Sequence, residues 1–177
     1  MARNKYPEET VNRILDAAAQ LFTERGYDKT SLQDIIQMTG LSKGAIYHHF
    51  ASKEDIFLKI CDRMGQENAE RLEQIRDRRD LNGLEKLRLI FREALLSHNQ
   101  RRIMDITPYL LDNPRFLAMD IRGVYEDSAP DYIEPILREG IADGSIHTEY
   151  PRELAELMMI LSDVWLHPSL QPTTPEE

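Results

Sequence analysis

The stretch Thr30-Ser31-Leu32-Gln33-Asp34-Ile35-Ile36, then Gly40-Leu41-Ser42-Lys43-Gly44-Ala45-Ile46-Tyr47-His48-His49-Phe50 and Ser52-Lys53-Glu54, decides the fold of this 177-residue chain. Ser31 followed three positions later by Asp34 is a capping pattern, so a helix starts there. It carries Leu32, Ile35, Ile36 and Met38 and stops near Thr39-Gly40. Gly40 suits a tight turn because it tolerates positive φ. Ser42 caps a second helix, about Lys43 to His49. Two short helices joined through a central glycine form a helix-turn-helix. Ile35, Ile36, Leu41 and Ile46 are expected to pin the pair to a preceding helix.

Working outward, helix follows in both directions. Upstream, Val11, Ile14, Leu15, Ala18, Leu21 and Phe22 recur at steps of three and four, which predicts a helix from about Pro7 to Arg25. Gly26 stands where a helix-ending glycine belongs. Downstream, Ser52 with Asp55 opens a long fourth helix bearing Ile56, Phe57, Ile60, Met64, Leu72 and Ile75. Residues 78–83 read as a loop, with Asn82-Gly83 as its turn dipeptide. Leu84 to Leu95 reads as a further amphipathic helix, and Arg102 to Leu111 as a short one. Asn113-Pro114 opens a helical run reaching Gly144, in which Pro130 and Pro135 either kink one long helix or split it in two. The final predicted helix is Pro151 to Leu166. The fold class is therefore all-α: a three-helix head, residues 1–52, and a helical body, residues 53–177.

Composition excludes other classes. Aromatic residues make up 7% and there are 8 glycines, too few of either for a barrel or sandwich of short strands. No apolar run approaches the ~18 residues of a membrane span, and no secretory signal is visible at the start. The single cysteine, Cys61, cannot form an internal disulfide, and a cytoplasmic location is expected. The net charge of −9 argues by itself against nucleic acid, but it is unevenly placed. Residues 1–60 hold 8 basic and 8 acidic residues, and the remaining 14 basic and 23 acidic residues carry the whole imbalance.

The second helix of a helix-turn-helix enters the DNA major groove with its N-terminal residues leading. Here those are Lys43, Gly44 and Ala45. Lys43 can donate to guanine or to phosphate, and the two small residues allow close approach. Tyr47 and His49 can donate to phosphate oxygens, which positions the head without reading sequence. Lys53 adds a positive charge beside a helix N-terminus, where phosphate binds well.

These residues together resemble the DNA-binding head of the TetR family of bacterial transcriptional regulators, over about residues 8–60. The resemblance implies a head on a helical C-terminal domain that dimerises and binds a small-molecule effector. Carried over by position, Gln33, Lys43, Gly44 and Ala45 would face bases or nearby phosphates, and Ser31, Tyr47, His49 and Lys53 would hold the DNA backbone. The family also implies further helix after Trp165.

The implied function is a ligand-responsive regulator, a repressor by first expectation, bound as a homodimer to a pseudo-palindromic double-stranded operator. The alternative is a regulator of the same fold that acts through protein contacts without DNA. No metal-ligand spacing, nucleophile motif or phosphate loop supports an enzyme, and neither cofactor nor metal is expected. His48 and His49 point about 100° apart on a helix, with no third ligand nearby. Apolar residues of the body mostly serve the core. Those that line an effector cavity are expected among Met64, Phe91, Met104, Tyr109, Phe116 and Tyr125. Dimerisation is expected through Ile133, Ile136, Leu137 and Ile141 of one helix and Leu157, Ile160, Leu161, Val164 and Trp165 of the last, packed as a four-helix bundle.

Overall fold

The computed structural model describes residues 7–96 and 114–162. The helix expected at 102–111, and with it Met104 and Tyr109, lies outside these, as do Val164 and Trp165. The chain packs as two compact units, residues 1–66 and 67–177. The division between these units falls inside the fourth helix. The reason is packing: Ile56, Phe57 and Ile60 of that helix are buried. Phe57 sits edge-on to Phe22 at 5.9 Å and to Tyr27 at 5.0 Å.

In the first unit, α1 (Pro7–Arg25) buries Ile14, Leu15, Ala18, Leu21 and Phe22 of the predicted stripe and leaves Val11 half-buried. Gly26 ends it at φ 84°, its N–H donating to the Phe22 carbonyl at 2.9 Å. Thr30 is buried polar, and its hydroxyl donates to the Gly26 carbonyl at 2.8 Å. Next come α2 (Leu32–Thr39), α3 (Lys43–His49) and α4 (Lys53–Arg76). Arg63 of α4 pairs with Asp16 of α1 at 2.9 Å.

The second unit contains the remainder of α4, then α5 (Gly83–Leu96), α6 (Pro114–Gly123), a π-helical segment (Val124–Ile133), α7 (Glu134–Asp143) and α8 (Pro151–Ile160). Leu72, Ile75, Leu87, Ile90, Val124, Ile133, Ile136, Leu137 and Met159 form its core. Of the two alternatives, the split is not seen: the backbone stays helical past both prolines. The path stays helical but is wound wider through Pro130, and the Glu134 N–H reaches back five residues to the Ala129 carbonyl. In an ordinary α-helix the proline ring clashes with the carbonyl four residues back, and the wider winding relieves that crowding. Pro135 occupies the first turn of α7, where a missing donor costs nothing.

Asn82-Gly83 proves to be a helix start. The Asn82 side chain accepts from the Glu85 N–H at 2.9 Å, and Glu85 returns the bond to the Asn82 N–H at 2.9 Å. A Cβ on Gly83 would lie 2.4 Å from the Gly140 Cα, so α5 and α7 touch backbone to backbone. Asp143 accepts from the Gly83 N–H at 2.9 Å, and the Ser145 hydroxyl from the Leu84 N–H at 3.2 Å. Lys86, buried to 2% exposure, donates to the Arg76 carbonyl at 2.8 Å and pairs with Glu139.

Candidate nucleic-acid interface

The reading helix is placed by caps written in the sequence. Ser31 and Asp34 form a reciprocal capping box: the Ser31 N–H donates to the Asp34 carboxylate at 2.8 Å, and the Ser31 hydroxyl bonds it as well. Those hydrogen bonds, with Arg25 nearby, hold the Asp34 carboxyl below its ordinary range. Gly40 takes φ 64° and donates its N–H to the Ile36 carbonyl at 2.9 Å. The Ser42 hydroxyl accepts from the Ala45 N–H at 3.1 Å, which starts α3. Ile35 and Ile46 are fully buried and lock the two helices into the head.

This arrangement leaves one side of α3 in solvent. Lys43, Gly44 and Tyr47 are exposed, Tyr47 by 46%. The Lys43 ammonium lies 5.5 Å from the centre of the Tyr47 ring, one turn along. No atom comes within 4 Å of a Cβ built on Gly44, so nothing inside the protein requires glycine there. Ala45 and His49 are half-buried and Gln33 is exposed. His48 is exposed and stacks edge-on to His49 at 5.1 Å. Among the described residues no cluster of potential ligands could hold a metal ion.

Two predicted backbone-holding residues have other work. The Ser31 hydroxyl is occupied by Asp34. The Lys53 ammonium donates to the Tyr27 carbonyl at 2.7 Å and lies 4.0 Å over the Tyr27 ring. Burial lowers the Lys53 pKa and raises that of Tyr27. Sequence reading missed Tyr27, and it missed Arg13, whose guanidinium donates to the Thr39 carbonyl at the end of α2. Both bonds span 26 residues, so no local spacing could have signalled them.

In the second unit the expected sets separate. Ile133, Ile136 and Leu137 are buried in the chain's own core and cannot face a partner. The helical stripe they form is real, but α5, the π-helical segment and α8 consume it. Ile141, Leu157 and Leu161 remain exposed, and Ile160 is half-buried. Of the expected effector-lining residues, Met64 belongs to the first unit and is half-buried. In the second, Phe91 is half-buried, Phe116 buried and Tyr125 exposed. Two surface clefts of this unit lie elsewhere, one along the α5 start and α7, the other along α5 itself.

Comparison with known proteins agrees with this geometry. Residues 14–60 match the model of the bacterial regulatory proteins of the tetR family. The chain is 29% identical to the HTH-type transcriptional repressor KstR2 of Mycolicibacterium smegmatis, over 84% of this chain and 73% of that protein. It is 44% identical to the HTH-type transcriptional regulator AcrR of Shigella flexneri over 64 residues, 35% of this chain and 30% of the relative. The chain thus spans less than a third of that relative. The SmeT–triclosan complex superposes with a TM-score of 0.72 at 25% identity, covering 93% of this chain and 82% of that one. With residues 14–60 matching the tetR family model and a helical body that superposes on a solved regulator, the chain is similar to the TetR family of bacterial regulatory proteins.

Proposed function

We propose that this chain is a DNA-binding transcriptional regulator of the repressor kind, which binds a pseudo-palindromic operator as a homodimer and is released by a small-molecule effector. The observation that carries the reading is the outward side of α3. Lys43, Gly44 and Tyr47 stand in solvent on a helix capped at its start and locked by buried Ile46. Gly44 supports it further, because its missing side chain serves no neighbour within the protein. A long acidic body suits a neutral head, since repulsion from DNA then falls on the part that need not approach it.

Release follows if the effector binds better to a conformation with low operator affinity. Only that difference in affinity can drive the shift. A hundredfold loss of operator affinity requires about 2.8 kcal/mol of coupling. The test is selection of bound duplexes from a random pool, then titration of the best sequence with wild type and Lys43→Ala/Tyr47→Phe. An inverted repeat bound tightly by wild type and poorly by the double variant supports the reading. No enrichment, with weak binding indifferent to the substitutions, favours a regulator working through protein contacts.

A further inference from the structure

We propose that the cleft along α5 binds an anionic amphiphile, a molecule with a carboxylate or phosphate head on an apolar tail. The cleft has a volume of about 510 Å³ and is lined by Arg78, Leu81, Glu85, Arg88, Leu89 and Arg92. That volume falls in the range of small-molecule sites, ~300–1,000 Å³. Leu81 and Leu89 are half-buried, so each keeps apolar surface toward the cleft. The aliphatic stems of the arginines extend that surface, and their guanidinium groups form its charged rim.

The charges point to an anion. Four other helical arginines of this unit pair with a glutamate one turn away: Arg76 with Glu73, Arg122 with Glu126, Arg138 with Glu134 and Arg152 with Glu156. Arg88 and Arg92 sit one turn apart on α5, both exposed, and neither pairs with a carboxylate among the described residues. Of the nearby acids, Glu93 acts on Arg78, raising its pKa, and two others are held by hydrogen bonds. Glu85 accepts from the Asn82 N–H, and Asp80 holds Arg78 through a bond of 3.0 Å from its Nε. Two neighbouring guanidinium forks are thus left to meet a carboxylate or phosphate, the groups their geometry fits.

The rest of the chain decides what kind of anion. A net charge of −9 repels a polyanion from the protein as a whole. A compact head of one or two charges avoids most of that repulsion and still engages both arginines. The tail then covers Leu81 and Leu89.

The inference stands apart from DNA binding and is tested without DNA. The full-length chain is titrated calorimetrically with dodecanoate, dodecyl phosphate, inorganic phosphate and the uncharged dodecyl maltoside, each below its micellar concentration. Saturable binding of one anionic amphiphile per chain is expected, and the stronger of the two probes tells carboxylate from phosphate. Arg88→Gln/Arg92→Gln should weaken it about tenfold or more, the scale of a lost charged hydrogen bond. Arg122→Gln, an exposed arginine away from the cleft, should leave it unchanged. Arg88→Lys, which keeps the charge but not the fork, should fall between; thermal unfolding verifies that each variant is folded. The proposal is overturned if neither anionic amphiphile binds saturably or if the double variant binds as tightly as wild type. Equal binding of inorganic phosphate or of the maltoside also overturns it.

Discussion

The Lys53 ammonium and the Tyr27 carbonyl oxygen stand 2.7 Å apart, with the ammonium 4.0 Å over the same tyrosine's ring. The start of α4 is thereby tied to the loop between α1 and α2. Lys53→Met keeps the stem and removes the charged donor. A half-buried charged hydrogen bond contributes about 1.5–3 kcal/mol. We expect the variant to lose roughly 1–2 kcal/mol in urea unfolding. Unchanged stability with weakened DNA binding would make Lys53 a phosphate contact alone.

Gly44 separates folding from recognition. With open space around its missing Cβ, Gly44→Ala should hold or raise stability, by up to ~1 kcal/mol, because alanine is the better helix former. Gly44→Leu should fold equally well but lose operator affinity by at least about tenfold, since bulk is then added on the side facing the groove. A leucine variant that binds the selected duplex as tightly as wild type would remove α3 from the groove.

Asp34 predicts a pH dependence. Its bonds to Ser31 lower its pKa from the ordinary 3.8. A carboxyl depressed in the folded state stabilises the head above its unfolded pKa, and the contribution is lost as pH falls through the folded value. Thermal midpoints of wild type should therefore fall below pH 3.8 more steeply than those of Asp34→Asn, with the two curves converging at the acid end. Parallel curves would leave the capping box without a share in acid stability.

Gly83 and Gly140 set the contact between α5 and α7. A methyl at Gly83 would meet the Gly140 backbone at 2.4 Å, and backbone cannot rotate aside. Gly83→Ala should cost about 1–3 kcal/mol, the range for overpacking. Gly65→Ala, where a Cβ meets nothing, serves as the control and should not destabilise.

Among the described residues, Leu157, exposed by 55%, and Leu161, by 36%, are the exposed large apolar residues of the last helical stretch. Leu157→Asp/Leu161→Asp should convert a dimer to monomers in sedimentation velocity without lowering helicity. A dimer that survives both charges would place the interface elsewhere.

The local signals in the sequence were sufficient for the head. Ser31, Asp34, Gly40 and Ser42 act within four residues of themselves, through caps and turn geometry, so their positions alone imply two short helices and the turn between them. The outward residues Lys43, Gly44 and Tyr47 follow from that frame by helical period. Tertiary structure decided what period cannot. Ile133, Ile136 and Leu137 form a helical stripe that reads alike whether a neighbour in the same chain or a second chain covers it, and packing on α5 and α8 chose the former. Asn82-Gly83 reads alike as a turn or a helix start until Gly140 arrives from 57 residues away and requires a glycine at the contact. The bond from Lys53 to the Tyr27 carbonyl spans 26 residues and is invisible to local spacing. In each case local spacing fixes which side of a helix a residue occupies, while the partner on that side is supplied by chain distant in sequence, and only the folded core brings the two together.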